Sequence, residues 1–133
     1  MTLDTKSKMA SLRLAFEAEH ARREADRIAR EDAERAQQEA DHQRATQLYE
    51  TLISDSDFLV EKSLVVELTR YSVNIDHHDF RLRAYFEAGE INVTAADKRT
   101  ATLPSAAPRK QQTVTSSHDA LVVLAQFLAD EIH

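Results

Sequence analysis

The run Asp76-His77-His78-Asp79 is the densest collection of metal ligands and proton carriers in this chain. Two imidazoles and two carboxylates in succession have the donor types that hold a divalent cation. Upstream, Asp55 and Asp57 add a second pair of carboxylates. His20, His42, His118 and His133 are scattered and form no set with them. Spacing limits the chemistry, because neighbours on a helix point about 100° apart. On a helix His77 and His78 would not readily chelate one ion, and solvated polar residues at a helix start are the economical reading.

With Val73-Asn74-Ile75 before it, Asp76-His77-His78 resembles the signature of the Asp-His-His phosphoesterases, whose side chains bind manganese at a strand end. Asp55 and Asp57 would then stand for the upstream Asp-x-Asp. That resemblance implies a parallel sheet, several separated acidic motifs and a second domain. The sequence offers a charged helix upstream and a linker downstream, and a three-residue match is common by chance. A small metal-dependent hydrolase therefore ranks third among the functional readings. One glycine rules out Gly-rich phosphate loops, and no nucleophile-elbow pattern surrounds any serine. No catalytic, cofactor-binding or metal-binding residue is assigned, and the chain is read as a non-enzyme.

The elements that would position such residues are read as mainly α. The chain has 133 residues, one glycine, two prolines and no cysteine. Gly89, Pro104 and Pro108 all come late, so the first 88 residues lack the punctuation that turns β-rich folds. From about Ser7 to Leu52 the residues are strong helix formers, with opposite charges recurring four apart, as in Glu19 and Arg23 or Asp26 and Arg30. Such a helix would be nearly 70 Å long, at roughly 1.5 Å per residue. Leu14, Ala18, Ala21, Ala25, Ala29, Ala33, Ala36 and Ala40 run along one face, with Leu48 and Leu52 read as continuing it. The repeat of about 3.67 residues per turn predicts a nearly straight or slightly right-handed pairing with another helix. Residues 1–53 are accordingly assigned to a coiled-coil-like helix.

Ser54 and Asp57 have the form of a capping box, with Ile53 and Phe58 at staple spacing. A second helix is expected to about Asn74, with Val60, Leu64, Leu68, Tyr71 and Ile75 as its apolar stripe. The same signature recurs at Ile75, Asp76, Asp79 and Phe80, and Gly89 stands at a helix stop. Residues 54–93 are thus read as a small helical head. The alternative over 80–93 is a β-hairpin, since Phe80, Leu82, Ala84 and Phe86 alternate with polar neighbours and Ile91 and Val93 could pair across Gly89. Residues 94–116, rich in Thr, Ser, Ala and Gln, are read as a flexible linker. Residues 117–133 form an apolar C-terminal helix, capped by Ser116 or Ser117, that either folds back on the head or docks on a partner.

These elements support an oligomeric adaptor or regulatory subunit that acts through helix–helix contacts with itself or another protein. The expected interface residues are Ala18, Ala21, Ala25, Ala29, Ala36 and Ala40 on the long helix, with Leu121, Leu124, Phe127 and Leu128 on the last. The runner-up is a nucleic-acid-associated accessory protein using Arg22, Arg23, Arg27, Arg30, Lys98, Arg99, Arg109 and Lys110. A net charge of −6 with no single-sign stripe makes nucleic acid the weaker partner. Neither a membrane span nor a secretory signal is visible, so a cytoplasmic protein is expected.

Overall fold

The computed structural model describes residues 11–99 and 110–132. Eight elements follow one another: α1 (Leu12–Ile53), α2 (Ser56–Glu61), β1 (Val65–Leu68), β2 (Ser72–Asp76), β3 (Phe80–Glu87), β4 (Glu90–Asp97), β5 (Lys110–Val114) and α3 (Ser117–Glu131). The fold is therefore α+β rather than mainly α. The expected helical head is replaced by strands of a five-stranded antiparallel sheet, ordered β1-β2-β3-β4-β5. Both ends of the expected linker are strand, 94–97 within β4 and 110–114 as β5. Its middle, with Pro104, Pro108 and Arg109, lies outside the described residues.

Two units are distinguished, one up to Ala36 and one from Gln37 onward. In the first, α1 is exposed residue after residue from Leu12 to Ala36, with Glu19 alone half-buried. Most of its charges are paired along the helix. Arg22 bridges Glu19 and Asp26, Arg27 bridges Glu24 and Glu31, and Arg35 meets Asp32. Exposed pairs of this kind support the helix only modestly, because solvent and salt screen them.

The second unit packs two helices on one face of the sheet. Phe80, Leu82, Ala84 and Phe86 of β3 are buried while Arg81, Arg83, Tyr85 and Glu87 are exposed, the period-two pattern of a strand with one covered face. Val73 and Ile75 of β2 and Ile91, Val93 and Ala95 of β4 join the same apolar cluster. Ala45, Leu48 and Leu52 of α1 close it from one side, and Ala120, Val123, Leu124 and Phe127 of α3 from the other. Leu48 and Leu52 thus belong to this core and do not prolong the alanine face. Leu48 lies eight residues beyond Ala40, about 80° further round a helix.

Local chemistry explains why helix gives way to strand at Ser63. Its φ is +58°, and Ser63 N–H donates to Val60 O at 3.1 Å while Leu64 N–H reaches back to Leu59 O at 2.8 Å. These are the two bonds of a Schellman stop, with serine in the place usually taken by glycine. The expected cap at Ser54 does not form, because its hydroxyl donates to Thr51 O instead. The second staple look-alike is a hairpin turn: β2 ends at Asp76, His77 N–H donates to Phe80 O at 2.9 Å, and β3 begins. Gly89 terminates no helix either. Ala88 and Gly89, at φ +53° and +83°, form the two-residue link between the paired Glu87 and Glu90, as a type I′ hairpin turn requires.

Candidate functional site

Titratable groups gather at the turn between β2 and β3. Asp76, at the end of β2, pairs with Arg81 at 2.8 Å and with Lys98 at 2.7 Å. Burial pushes its carboxyl up, but hydrogen bonds from the two cations outweigh that and hold it below the ordinary aspartate value. His77 stacks on Phe80, ring centres 4.5 Å apart, and its Nδ1 accepts from Asp79 N–H at 3.0 Å. Each ligand-type atom named here therefore has a structural occupation within the turn. His78 is exposed. Asp55 and Asp57 sit in and beside α2. Among the described residues no three His, Asp or Glu side chains converge on one point as metal ligands would.

A second cluster ties α1 to the sheet. Asp41, only 4 % exposed, accepts from Ala88 N–H at 2.9 Å and Gly89 N–H at 3.1 Å, and Gln37 Nε2 donates to it at 3.0 Å. One turn further, Arg44 donates to Gly89 O at 3.0 Å and to Thr115 O, with its guanidinium 5.9 Å from the Phe86 ring centre. Sequence reading passed over both residues, since a charged residue on a charged helix carries no mark of burial. The one available sign was the phase of Asp41, which lies off the alanine face and one turn before Ala45; Arg44, one turn after Ala40, continues that face.

The residues singled out as an interface fall into two groups. Ala18, Ala21, Ala25, Ala29, Ala36 and Ala40 are all exposed on α1. With them stand larger exposed apolar groups, Leu12 at 87 %, Leu14, Phe16 at 62 % and Ile28 at 47 %. On α3, Leu124 and Phe127 are buried in the chain's own core, whereas Leu121 and Leu128 are half-buried. The last two line a cavity of about 320 Å³, bounded by the end of α1, by α2 and by α3, with Ile75 and Leu64 among its lining residues. Sequence reading missed its other walls, Phe58 and Leu59 of α2, having placed them inside a longer helix.

No protein-family model, characterised protein or solved structure matches this chain. Among the described residues no helix is long and apolar enough to cross a membrane.

The basic residues considered for phosphate binding are for the most part engaged by carboxylates. Arg22, Arg23 and Arg27 pair with acidic groups one turn away, Lys98 with Asp76, Arg99 with Asp97 and Glu131, and Lys110 with Asp130. A phosphate would have to compete with each of these neighbours.

Proposed function

We propose that this chain is a non-enzymatic assembly component, an adaptor or regulatory subunit whose N-terminal helical half pairs with another helix. The observation that carries this reading is the exposure of Leu12, Leu14, Phe16 and Ile28 on a helix most of whose charges pair along its own length. A helix stabilised only for solvent has no use for such side chains, each of which gains about 1.5–3 kcal/mol when fully buried. The alanines allow close approach of a second helix while contributing little area of their own. The structured second unit then serves as the head that such a pairing would bring together or recruit. A nucleic-acid role is the weaker reading, because exchanging internal carboxylates for phosphates releases fewer counterions than neutralising phosphates with free cations.

The test is the solution mass of the full chain by light scattering, from low micromolar to near-millimolar concentration. An oligomer that weakens when Leu12, Leu14, Phe16 and Ile28 are all replaced by serine supports the proposal. A monomer throughout, with residues 12–36 as mobile as a free peptide by NMR relaxation and no bound protein, overturns it.

A further inference from the structure

The cavity bounded by α1, α2 and α3 is apolar, yet two opposite charges stand among its lining residues. Leu52, Phe58, Leu121 and Leu128 contribute to its wall, and Asp55 and Lys62 flank α2. One of these wall residues, Phe58, is itself exposed. No residue of the short helix α2 is buried, although its sequence is half apolar. An exposed aromatic side chain on a concave apolar wall is the pattern of a protein-docking site. At about 320 Å³ the cavity is at the lower end of the roughly 300–1,000 Å³ range of ligand pockets, room for a pair of large side chains.

The same chain carries such a pair. Leu12 and Phe16 stand four apart on α1 and so share one helical face, both largely exposed. Beside them Arg13 and Glu17 form an exposed ion pair at 3.2 Å, again four apart. Two apolar knobs flanked by one cation and one anion match an apolar cavity lined by one anion and one cation. Among the described residues Lys62 pairs only with its neighbour Glu61, at 3.9 Å, and Asp55 makes no side-chain capping hydrogen bond. Both are thus open to new partners at small cost.

We infer that the first turns of α1 from a second copy of this chain dock in this cavity, Leu12 and Phe16 entering it with Arg13 beside Asp55 and Glu17 beside Lys62. This rests on the assembly reading above and names its partner surface. A knob on one copy meets a hole on the next. The arrangement closes into a symmetric dimer if the exchange is reciprocal and into longer chains if it is not.

The absence of native cysteine permits a direct test. Full-length Phe16→Cys is mixed with full-length Leu128→Cys under mild oxidation. A disulfide between the two copies is expected, and it should be lost when Ala125→Trp, at an exposed lining position, is added to the Leu128→Cys chain. Light scattering on the otherwise native protein should show at least tenfold weaker association for Ala125→Trp. Leu12→Ser with Phe16→Ser, on a helix segment that no core depends on, should do the same and guards against a folding defect. Oligomers that persist unchanged in all these variants, with no cross-link, overturn the docking and leave helix pairing standing. A monomer at every concentration overturns both. A cross-link that forms only within a doubly substituted chain, at a rate independent of concentration, also overturns docking between copies.

Discussion

The carboxylate of Asp41 accepts the backbone N–H of Ala88 at 2.9 Å across 47 positions of sequence, so α1 caps the tip of the β3–β4 hairpin. Gly89 N–H completes a two-pronged contact to the same side chain. A buried carboxylate held by two main-chain donors and Gln37 is a charge-assisted network whose members each depend on the others. Asp41→Ala should therefore lower the stability of the second unit by about 2–3 kcal/mol, since it leaves two turn donors without their acceptor. Urea unfolding checks the magnitude, and amide exchange at 88 and 89 should accelerate more than at other strand amides. Gln37→Ala, which removes one outer donor, should cost about 1 kcal/mol or less.

The hairpin tip holds a strained residue that can be relieved. Ala88 sits at φ +53°, where an alanine Cβ crowds its own backbone. Ala88→Asn would restore the Asn-Gly pair that two-residue hairpins favour, and it should stabilise by about 0.5–1 kcal/mol. Ser63→Gly should act similarly at the end of α2, where φ is +58°. Thermal melts of each variant are the measurement, and a fall in Tm for both would contradict the strain argument.

Acid should weaken the β2–β3 corner in a defined direction. Despite the upward push of burial, the carboxyl of Asp76 is held below its ordinary value by Arg81 and Lys98. A carboxyl depressed in the folded state stabilises fully above its unfolded pKa, near 3.9, and that contribution disappears as pH falls through the lower, folded value. The stability gap between native protein and Asp76→Asn should thus be constant at neutral pH and shrink below about pH 4. Denaturation at stepped pH reads it. A gap that grows toward acid would contradict the assigned ion pairs.

Residues on α3 should divide by burial. Leu124 is 2 % exposed and packs in the sheet core, so Leu124→Ala should cost about 2–5 kcal/mol and Leu124→Asp should unfold the second unit. Leu121 and Leu128 are half-buried, so alanine there should cost about 1 kcal/mol. Near-ultraviolet dichroism of the tyrosines and chemical denaturation separate the two classes.

The parts of the fold legible in sequence were those set by composition and local capping. The long helix follows from a breaker-free run of Ala, Glu and Arg, and Ser116 caps α3 by accepting from Asp119 N–H at 3.0 Å. The sheet was harder to read because its residues argue in two directions. Arg81, Leu82, Arg83, Ala84 and Glu87 have good helix propensity, while their alternation is that of a strand, and pairing with β2 and β4 decides for the alternation. Ile75, Asp76 and Phe80 imitate a staple and cap while building a turn. The polar run Lys110-Gln111-Gln112-Thr113 shows no alternating burial because β5 is an edge strand, and so it passed for linker. Of the candidate surfaces, the exposed alanine face of α1 was visible in sequence. The cavity was not, because it depends on α2 being six residues long, which a serine at positive φ decides.

Each strand in this sheet is bonded only to those next to it in sequence. A meander of that kind can zip outward from the Ala88–Gly89 bend, with links of two or three residues from β1 to β4 and a longer one only to β5, which favours quick folding for a β structure. The slow event should be the arrival of the distant segment carrying Asp41 and Leu48. During synthesis that segment leaves the ribosome first and must wait for the sheet it will rest on, sustained meanwhile by little more than the helix propensity and ion pairs of the residues before it.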